Sequence, residues 1–355
     1  MQPCIRKGGK MKGLYKTAPG SGNMEIRDAD IPRPGPGQVL IEVKSAGVCG
    51  SDLHIYHWNI AFKMKPPMII GHEFSGVITA AGTGVTGWEI GARVTGEPTA
   101  IICGECRYCR TGAYNLCPER RVLGYWVDGG FAEYIVVDAN RLHRLPDNVS
   151  FDEGALTEPL ACCVHGVHEL TGIEVGDTVA VLGPGAIGLI CAQLAKAEGA
   201  EVLIIGTSAD RERLAVAKSL GIDHCINLDE QDPLQFARDL TGGEGTDVVL
   251  ECSGAGPAAA TGMEIVRRQG KYTQMGLFGK PITLDFERIA YKELRVTGSL
   301  GQRWTAWKRT IKIMAQGRVN LKAVISDKFP LTQWKAAFDK FEAREGLKIL
   351  LDPKE

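Results

Sequence analysis

Two patterns of apolar and polar positions divide the chain. Between residues 39 and 150, short apolar runs such as "VLIEVKSAGV", "FSGVITAAG" and "FAEYIVV" alternate with glycine- and proline-rich turns. That pattern predicts an antiparallel, barrel-like β domain. From about Asp177 a buried apolar run, a glycine turn and a helix-length stretch follow one another repeatedly. "TVAVLG", "EVLIIG", "HCINL", "TDVVLECSG", "KYTQMGLFG" and "LRVTGSL" are six candidate strands, with helical segments such as "AIGLICAQLAKAEG" and "DRERLAVAKSLG" between most of them. The expected architecture is a doubly wound α/β fold, a parallel sheet covered on both faces. "WTAWKRTIKIMAQG" predicts a further helix, after which the chain is expected to return to the first domain.

Composition narrows the classes. With 355 residues, 44% of them hydrophobic, and a formal net charge of -1, there is material for two domains and no basic footprint for nucleic acid or an anionic membrane. The basic start, "MQPCIRKGGKMKGLYKTAPG", lacks the apolar run of a secretory signal, and no segment reaches the roughly 20 apolar residues of a membrane span. A cytoplasmic protein is expected. Eleven cysteines, an odd number, in a reducing compartment point to ligands before bridges. Cys103, Cys106, Cys109 and Cys117, with two, two and seven intervening residues, suit one tetrahedral zinc; the alternative is an oxidisable loop. Four thiolates leave no open position, so such a site braces structure and does no chemistry.

Candidate chemistry lies elsewhere. "VAVLGPGAIG" ends a strand and opens a helix, with Gly183, Gly185 and Gly188 in G-x-G-x-x-G order beside Ile187, a cradle for a dinucleotide pyrophosphate; the alternative is a glycine turn without a ligand. An acidic residue about 20 positions on would hold the adenosine ribose. There the chain offers Gly206, Thr207 and Ser208, with Arg211 and Arg213 nearby. Ser208 and an arginine suit the 2′-phosphate of NADP, whereas Asp210 suits the ribose of NAD and the arginines also fit a solvated helix face. The balance favours NADP with some dual use. In the first domain, "GVCGSDLH" presents Cys49, Ser51, Asp52 and His54, and "IIGHEFSG" presents His72 and Glu73. Thiolate, imidazole and carboxylate are the donors of an open catalytic zinc site, although a buried cysteine and a core histidine are the plainer readings.

Together, "GVCGSDLH", "GHEFSG", the four-cysteine segment, "GGFAEY", "EPLAC", "GPGAIG" and "ECSG" resemble, in order, the zinc-dependent medium-chain alcohol dehydrogenases of the sorbitol and threonine dehydrogenase branch. The resemblance begins near Met11 and leaves residues 1–10, with Cys4, as an extension. It implies a GroES-like catalytic domain at 1–163 and 304–355 and a Rossmann NAD(P)-binding domain at 164–303. It further implies a catalytic zinc on Cys49, His72, Glu73 and Glu158, with Glu158 binding the ion or its water, and a structural zinc on Cys103, Cys106, Cys109 and Cys117. Ser51 falls at the proton-relay hydroxyl and His54 near enough to extend the relay. The implied reaction is hydride transfer between NAD(P) and a secondary alcohol, zinc lowering the pKa of the substrate hydroxyl. A polyol is the favoured substrate and L-threonine the runner-up, with Arg303 in "GQRWTAW" a candidate partner for a substrate carboxylate or phosphate, a neighbour of the cofactor, or an exposed side chain. A homotetramer or dimer is implied. A non-enzymatic zinc-binding scaffold is the remote alternative, disfavoured by an intact set of site residues.

Overall fold

The computed structural model describes residues 9–60 and 64–354, so Cys4 lies outside the described residues. The chain divides into two compact units, the first Met1–Glu158, Arg303–Ala315 and Ile325–Glu355, the second Pro159–Gln302 and Gln316–Val324.

The first unit is built around the strand Gln38–Gly47, buried at most positions and therefore flanked on both edges. It pairs antiparallel with Glu73–Ala81, with Tyr134–Asp138 and, through its last residues, with the C-terminal strand Lys348–Asp352. Val39, Ile41, Val43, Phe74, Ile78, Phe131, Ile349 and Leu351 fill the core beneath. A smaller sheet joins Met24–Asp30, Lys10–Lys16 and Met68–Ile69. Lys10, expected in an extension, is a strand residue opposite Asp30. The alternation in "KMKGLYK" is masked by three lysines, of which Lys16 is buried and donates to the carbonyls of Gly20, Gly22 and Tyr56.

The second unit carries a six-stranded parallel sheet in the order His224–Asn227, Glu201–Gly206, Thr178–Leu182, Thr246–Glu251, Val266–Gln274, Arg295–Gly298. All six candidate strands are present. The three central strands are buried on both faces, which is why they read as unbroken apolar runs. Helices Ala186–Ala197, Arg211–Ser219, Pro233–Leu240, Gly256–Ile265 and Glu287–Lys292 lie in the five crossovers. Residues 316–324, expected with the first domain, belong to the second unit, where the Asn320 backbone N–H donates to Gln193 Oε1. The first unit ends at Glu158 and resumes at Arg303. No helix among the described residues is long and apolar enough to cross a membrane.

A buried node ties the cysteine lobe to the first unit. Glu97, 1% exposed, accepts from Tyr114 Oη at 2.5 Å and pairs with His143 Nε2 at 3.0 Å, with Arg141 Nη1 at 3.5 Å. Tyr114 lies between Cys109 and Cys117, and His143 stacks on Trp307 with centroids 5.0 Å apart. Glu97→Leu strands these donors in a buried site, at an expected cost of about 3–5 kcal/mol. Differential scanning calorimetry should show the transition of this unit lowered by several degrees; an unchanged transition would show that the node does not support the lobe.

Candidate metal and dinucleotide sites

Sheet register assembles the first site. Gly47 is opposite Glu73, and Leu350 is opposite Gly47, so the strand starting at Lys348 runs beside the carboxylate. Cys49 caps the helix Gly50–His57, and His72 precedes Glu73 in the loop leading into its strand. Ligand atoms of Cys49, His72 and Glu73 all lie within 4.8 Å of one another. Buried His72 Nδ1 and Asp52 Oδ1 face each other at 3.8 Å without a hydrogen-bond partner. A soft thiolate, an imidazole and a hard carboxylate converging in this way fit a zinc ion with an open position. Ser51 is in the first turn of the same helix, and Glu158 is a buried residue in the first turn of Thr157–Val164.

Two further side chains set the electrostatics. Both oxygens of Glu73 accept from Lys348 Nζ at 2.8 Å, and Lys348 also donates to the Val48 carbonyl. Burial opposes the Lys348 charge, but Glu73 and Cys49 more than offset it and raise its pKa. Asp52 Oδ2 accepts from the Cys49 backbone N–H at 2.9 Å. Burial lifts the Asp52 pKa to about 6 although His72 and the Cys49 N–H pull it down. Burial likewise works against the His72 charge, yet Cys49, Asp52 and Glu158 hold its pKa up at about 10. For Glu158, burial and then Glu73 outweigh the opposing cations, and its pKa is raised. A Cβ on Gly47 would lie 2.2 Å from Glu73 Oε2, so only glycine leaves room for this carboxylate. His54 is on the exposed side of its helix, bonded through Nδ1 to Asn59 Oδ1 at 2.9 Å, and Arg303 immediately precedes the helix Trp304–Ala315.

The four cysteines form a second cluster. Sγ separations are 3.5 Å for Cys106 and Cys109, 3.6 Å for Cys103 and Cys117, and 3.9 Å for Cys103 and Cys109. A tetrahedron with zinc–sulfur bonds of about 2.3 Å has edges of about 3.8 Å, so the thiols fit a closed four-thiolate site. Backbone N–H groups of Cys106 and Glu105 lower the Cys103 pKa to about 7. The ten described cysteines are all free thiols.

In the second unit, Gly183 has φ +94° and faces Ser253, and a Cβ on Gly188 would meet Gly183 O at 1.9 Å. A Cβ on Gly185, the N-cap of Ala186–Ala197, would meet nothing within 4 Å. The first two glycines named close the strand-to-helix turn, whereas Gly185 leaves open space at a helix N-terminus, as a bound pyrophosphate requires. Ile187 lies in the first turn of that helix.

Residues 35–147 match the alcohol dehydrogenase GroES-like domain and residues 186–316 the zinc-binding dehydrogenase domain. A sorbitol dehydrogenase of Halalkalibacterium halodurans is 44% identical over 97% of this chain and 99% of its own. The chain belongs to the zinc-dependent medium-chain alcohol dehydrogenase family. A D-arabitol-phosphate dehydrogenase of Enterococcus avium is 39% identical over 96% of this chain and 97% of its own. An L-threonine 3-dehydrogenase of Pyrococcus horikoshii is also 39% identical, over 94% of each chain. Among solved structures, a Sinorhizobium meliloti chain bound to NADP superposes with a TM-score of 0.89, 33% identical over 97% of this chain and 100% of its own. An Escherichia coli alcohol dehydrogenase complexed with NADH gives 0.86, at 30% identity over 97% and 100%. The protein is thus an oxidoreductase acting on CH–OH groups, with a GroES-like domain, a Rossmann-type domain and a nicotinamide cofactor.

In this dehydrogenase the end of the second Rossmann strand is crowded with carboxylates. The Ser208 backbone N–H donates to Asp229 Oδ2 at 2.8 Å, and Asn227 Nδ2 donates to the Ser208 hydroxyl at 3.1 Å. Asp210 turns back to accept from the Thr207 N–H and hydroxyl. Arg211 pairs with Glu230 at 2.6 Å and Arg213 with Asp210 at 3.4 Å. Sequence reasoning missed Lys348 and Asp229, each brought in from a distant strand end without a motif of its own. Asp52 was quoted but not assigned; its position three residues after the capping Cys49 was the available signal. Gly188→Ala should lower the thermal transition of the dehydrogenase, whereas Gly185→Ala should leave it in place and weaken dinucleotide binding at least about tenfold, by fluorescence titration. Equal behaviour of the two variants would contradict the division of roles among the glycines.

Proposed function

We propose that the protein is a zinc-dependent polyol dehydrogenase, oxidising a secondary hydroxyl of a polyol or sugar alcohol with NAD(P). The observation that carries this reading is the convergence of Cys49, His72 and Glu73 within 4.8 Å in a chain 44% identical to a sorbitol dehydrogenase. Cys49 and His72 hold the catalytic zinc, Glu73 is a third, exchangeable ligand, and Glu158 stands beside them. When bound, the ion supplies Lewis acidity and the nicotinamide supplies the hydride acceptor. The protein's own residues then handle the proton. The proton leaves the substrate hydroxyl through the Ser51 hydroxyl, which passes its own proton on, or through water held by Glu158, whose pKa is raised by burial. Lys348 orients Glu73 by donating to both of its oxygens, so a bound ion would share that carboxylate with an ammonium group. Cys103, Cys106, Cys109 and Cys117 hold a second, structural zinc.

L-threonine is the second reading, supported by the 39% identity to a threonine 3-dehydrogenase. Reduced-nicotinamide formation by the zinc-loaded enzyme should be seen with sorbitol-type polyols and not with L-threonine. Turnover of threonine alone would replace the polyol reading by the second one and bring Arg303 forward as the carboxylate partner. Cys49→Ala should abolish turnover and remove one zinc equivalent of two by elemental analysis; retained activity would sink the catalytic-zinc assignment.

Both NADP and NAD are accepted on this reading, with NADP favoured. Ser208 lacks the charge that repels a 2′-phosphate, and Arg211, exposed on its helix, can exchange Glu230 for that phosphate. Asp229 works in the opposite direction and supports residual use of NAD. Ser208→Asp should lower kcat/KM with NADP about 10–100-fold relative to NAD, since it adds a like charge beside the 2′-phosphate; an unchanged cofactor ratio would place the discrimination elsewhere. A homo-oligomer is supported by the outer strand Arg295–Gly298, which has no neighbour on its far side among the described residues and leaves Val296 43% exposed, near Leu300 at 52%.

A further inference from the structure

The wall of the metal site includes a side chain that no motif announced. Tyr125 follows the short strand Arg121–Val122, and its ring meets the His72 imidazole edge-on, with centroids 5.4 Å apart and planes at 64°. Its hydroxyl lies beside that of Ser51. On the outer side Trp126 stacks on it at 6.0 Å, and the Arg121 guanidinium covers the Trp126 ring at 5.7 Å.

Backbone packing holds the phenol in this position. Gly124 has φ +76°, and a Cβ there would lie 2.7 Å from both the N and the O of Gly71, the residue before His72. A Cβ on Gly129 would lie 2.1 Å from Gly71 O. Two glycines of the loop thus cross the segment carrying His72 at backbone contact, while Gly124 N–H donates to Val127 O at 2.7 Å and Tyr125 N–H to Val122 O at 3.2 Å. The loop and the segment carrying His72 are packed backbone against backbone, which sets the phenol ring against the imidazole.

We propose, resting on the polyol reading above, that Tyr125 is a specificity-determining residue: its phenol and the Ser51 hydroxyl together recognise a vicinal diol, Ser51 at the reacting hydroxyl and Tyr125 at the neighbouring one. A phenol is a donor below its ordinary pKa of about 10 and accepts through the same oxygen, so it can serve a secondary hydroxyl in either sense. An apolar neighbour on the substrate would bury that hydroxyl against carbon and leave it unpaired, which is how a polar site rejects an analogue lacking the matching group. Phenylalanine would fill the same space between His72 and Trp126 without this discrimination.

The test compares 2,3-butanediol with 2-butanol, which share a carbon skeleton and differ in the neighbouring hydroxyl, using zinc-loaded wild type and Tyr125→Phe. Wild type should prefer the diol. Tyr125→Phe should lower kcat/KM for the diol about 10–100-fold, chiefly through KM, and change 2-butanol less than about threefold, collapsing the ratio. The ratio is internal to each preparation, so partial loss of folded enzyme does not move it. An unchanged ratio, or an equal fall with both substrates, would overturn the assignment while leaving the polyol reading intact. Wild type that turns over neither 2,3-butanediol nor any sorbitol-type polyol would overturn the polyol reading, and this assignment with it.

Discussion

The structure of the first unit depends on one buried ion pair, Glu73 with Lys348. Removing two charges from water is costly, and only close, well-aligned contact offsets it; loss of one partner would leave an uncompensated charge in the interior. Both Glu73 oxygens reach the ammonium group at 2.8 Å, and the backbone carbonyl of Val48 takes another of its protons. The partners are 275 residues apart in sequence. They meet because the strand Gln38–Gly47 pairs with the strand of Glu73 and, at its end, with the C-terminal strand. The strand Lys348–Asp352 therefore places a positive charge against the candidate metal site.

The same register explains why glycines cluster around the site. Gly47 must yield its side-chain volume to the Glu73 carboxylate, Gly124 and Gly129 must leave room for the Gly71 backbone, and Gly71 in turn for the Phe131 ring. These are packing requirements on rigid elements. They fix the imidazole, the carboxylate and the phenol of Tyr125 relative to one another, the kind of preorganisation that a site for a developing charge needs. The cysteine lobe is arranged differently, with four thiols at tetrahedral spacing and Tyr114, between Cys109 and Cys117, anchored on Glu97.

Much of this was legible in the chain. Buried parallel strands read as apolar runs, and all six were placed, because burial on both faces leaves a local signature. The spacing of Cys103, Cys106, Cys109 and Cys117 and that of Gly183, Gly185 and Gly188 likewise encode contacts made within a few residues of chain. The strands Lys10–Lys16 and Met24–Asp30 were not read, because one carries a buried lysine and the other is largely exposed, so neither shows a clean alternation.

Sequence alone determined the fold class, the dinucleotide cradle and the thiol cluster, since each follows from local periodicity or from ligands close in the chain. Tertiary structure alone decided that Lys348 holds Glu73, that Asp229 reaches Ser208, that Tyr125 covers His72 and that residues 316–324 join the second unit. Each of these is a meeting of segments distant in the chain, set by strand register or backbone crossing. A lone lysine, aspartate or tyrosine carries no mark of the partner that the register will bring to it.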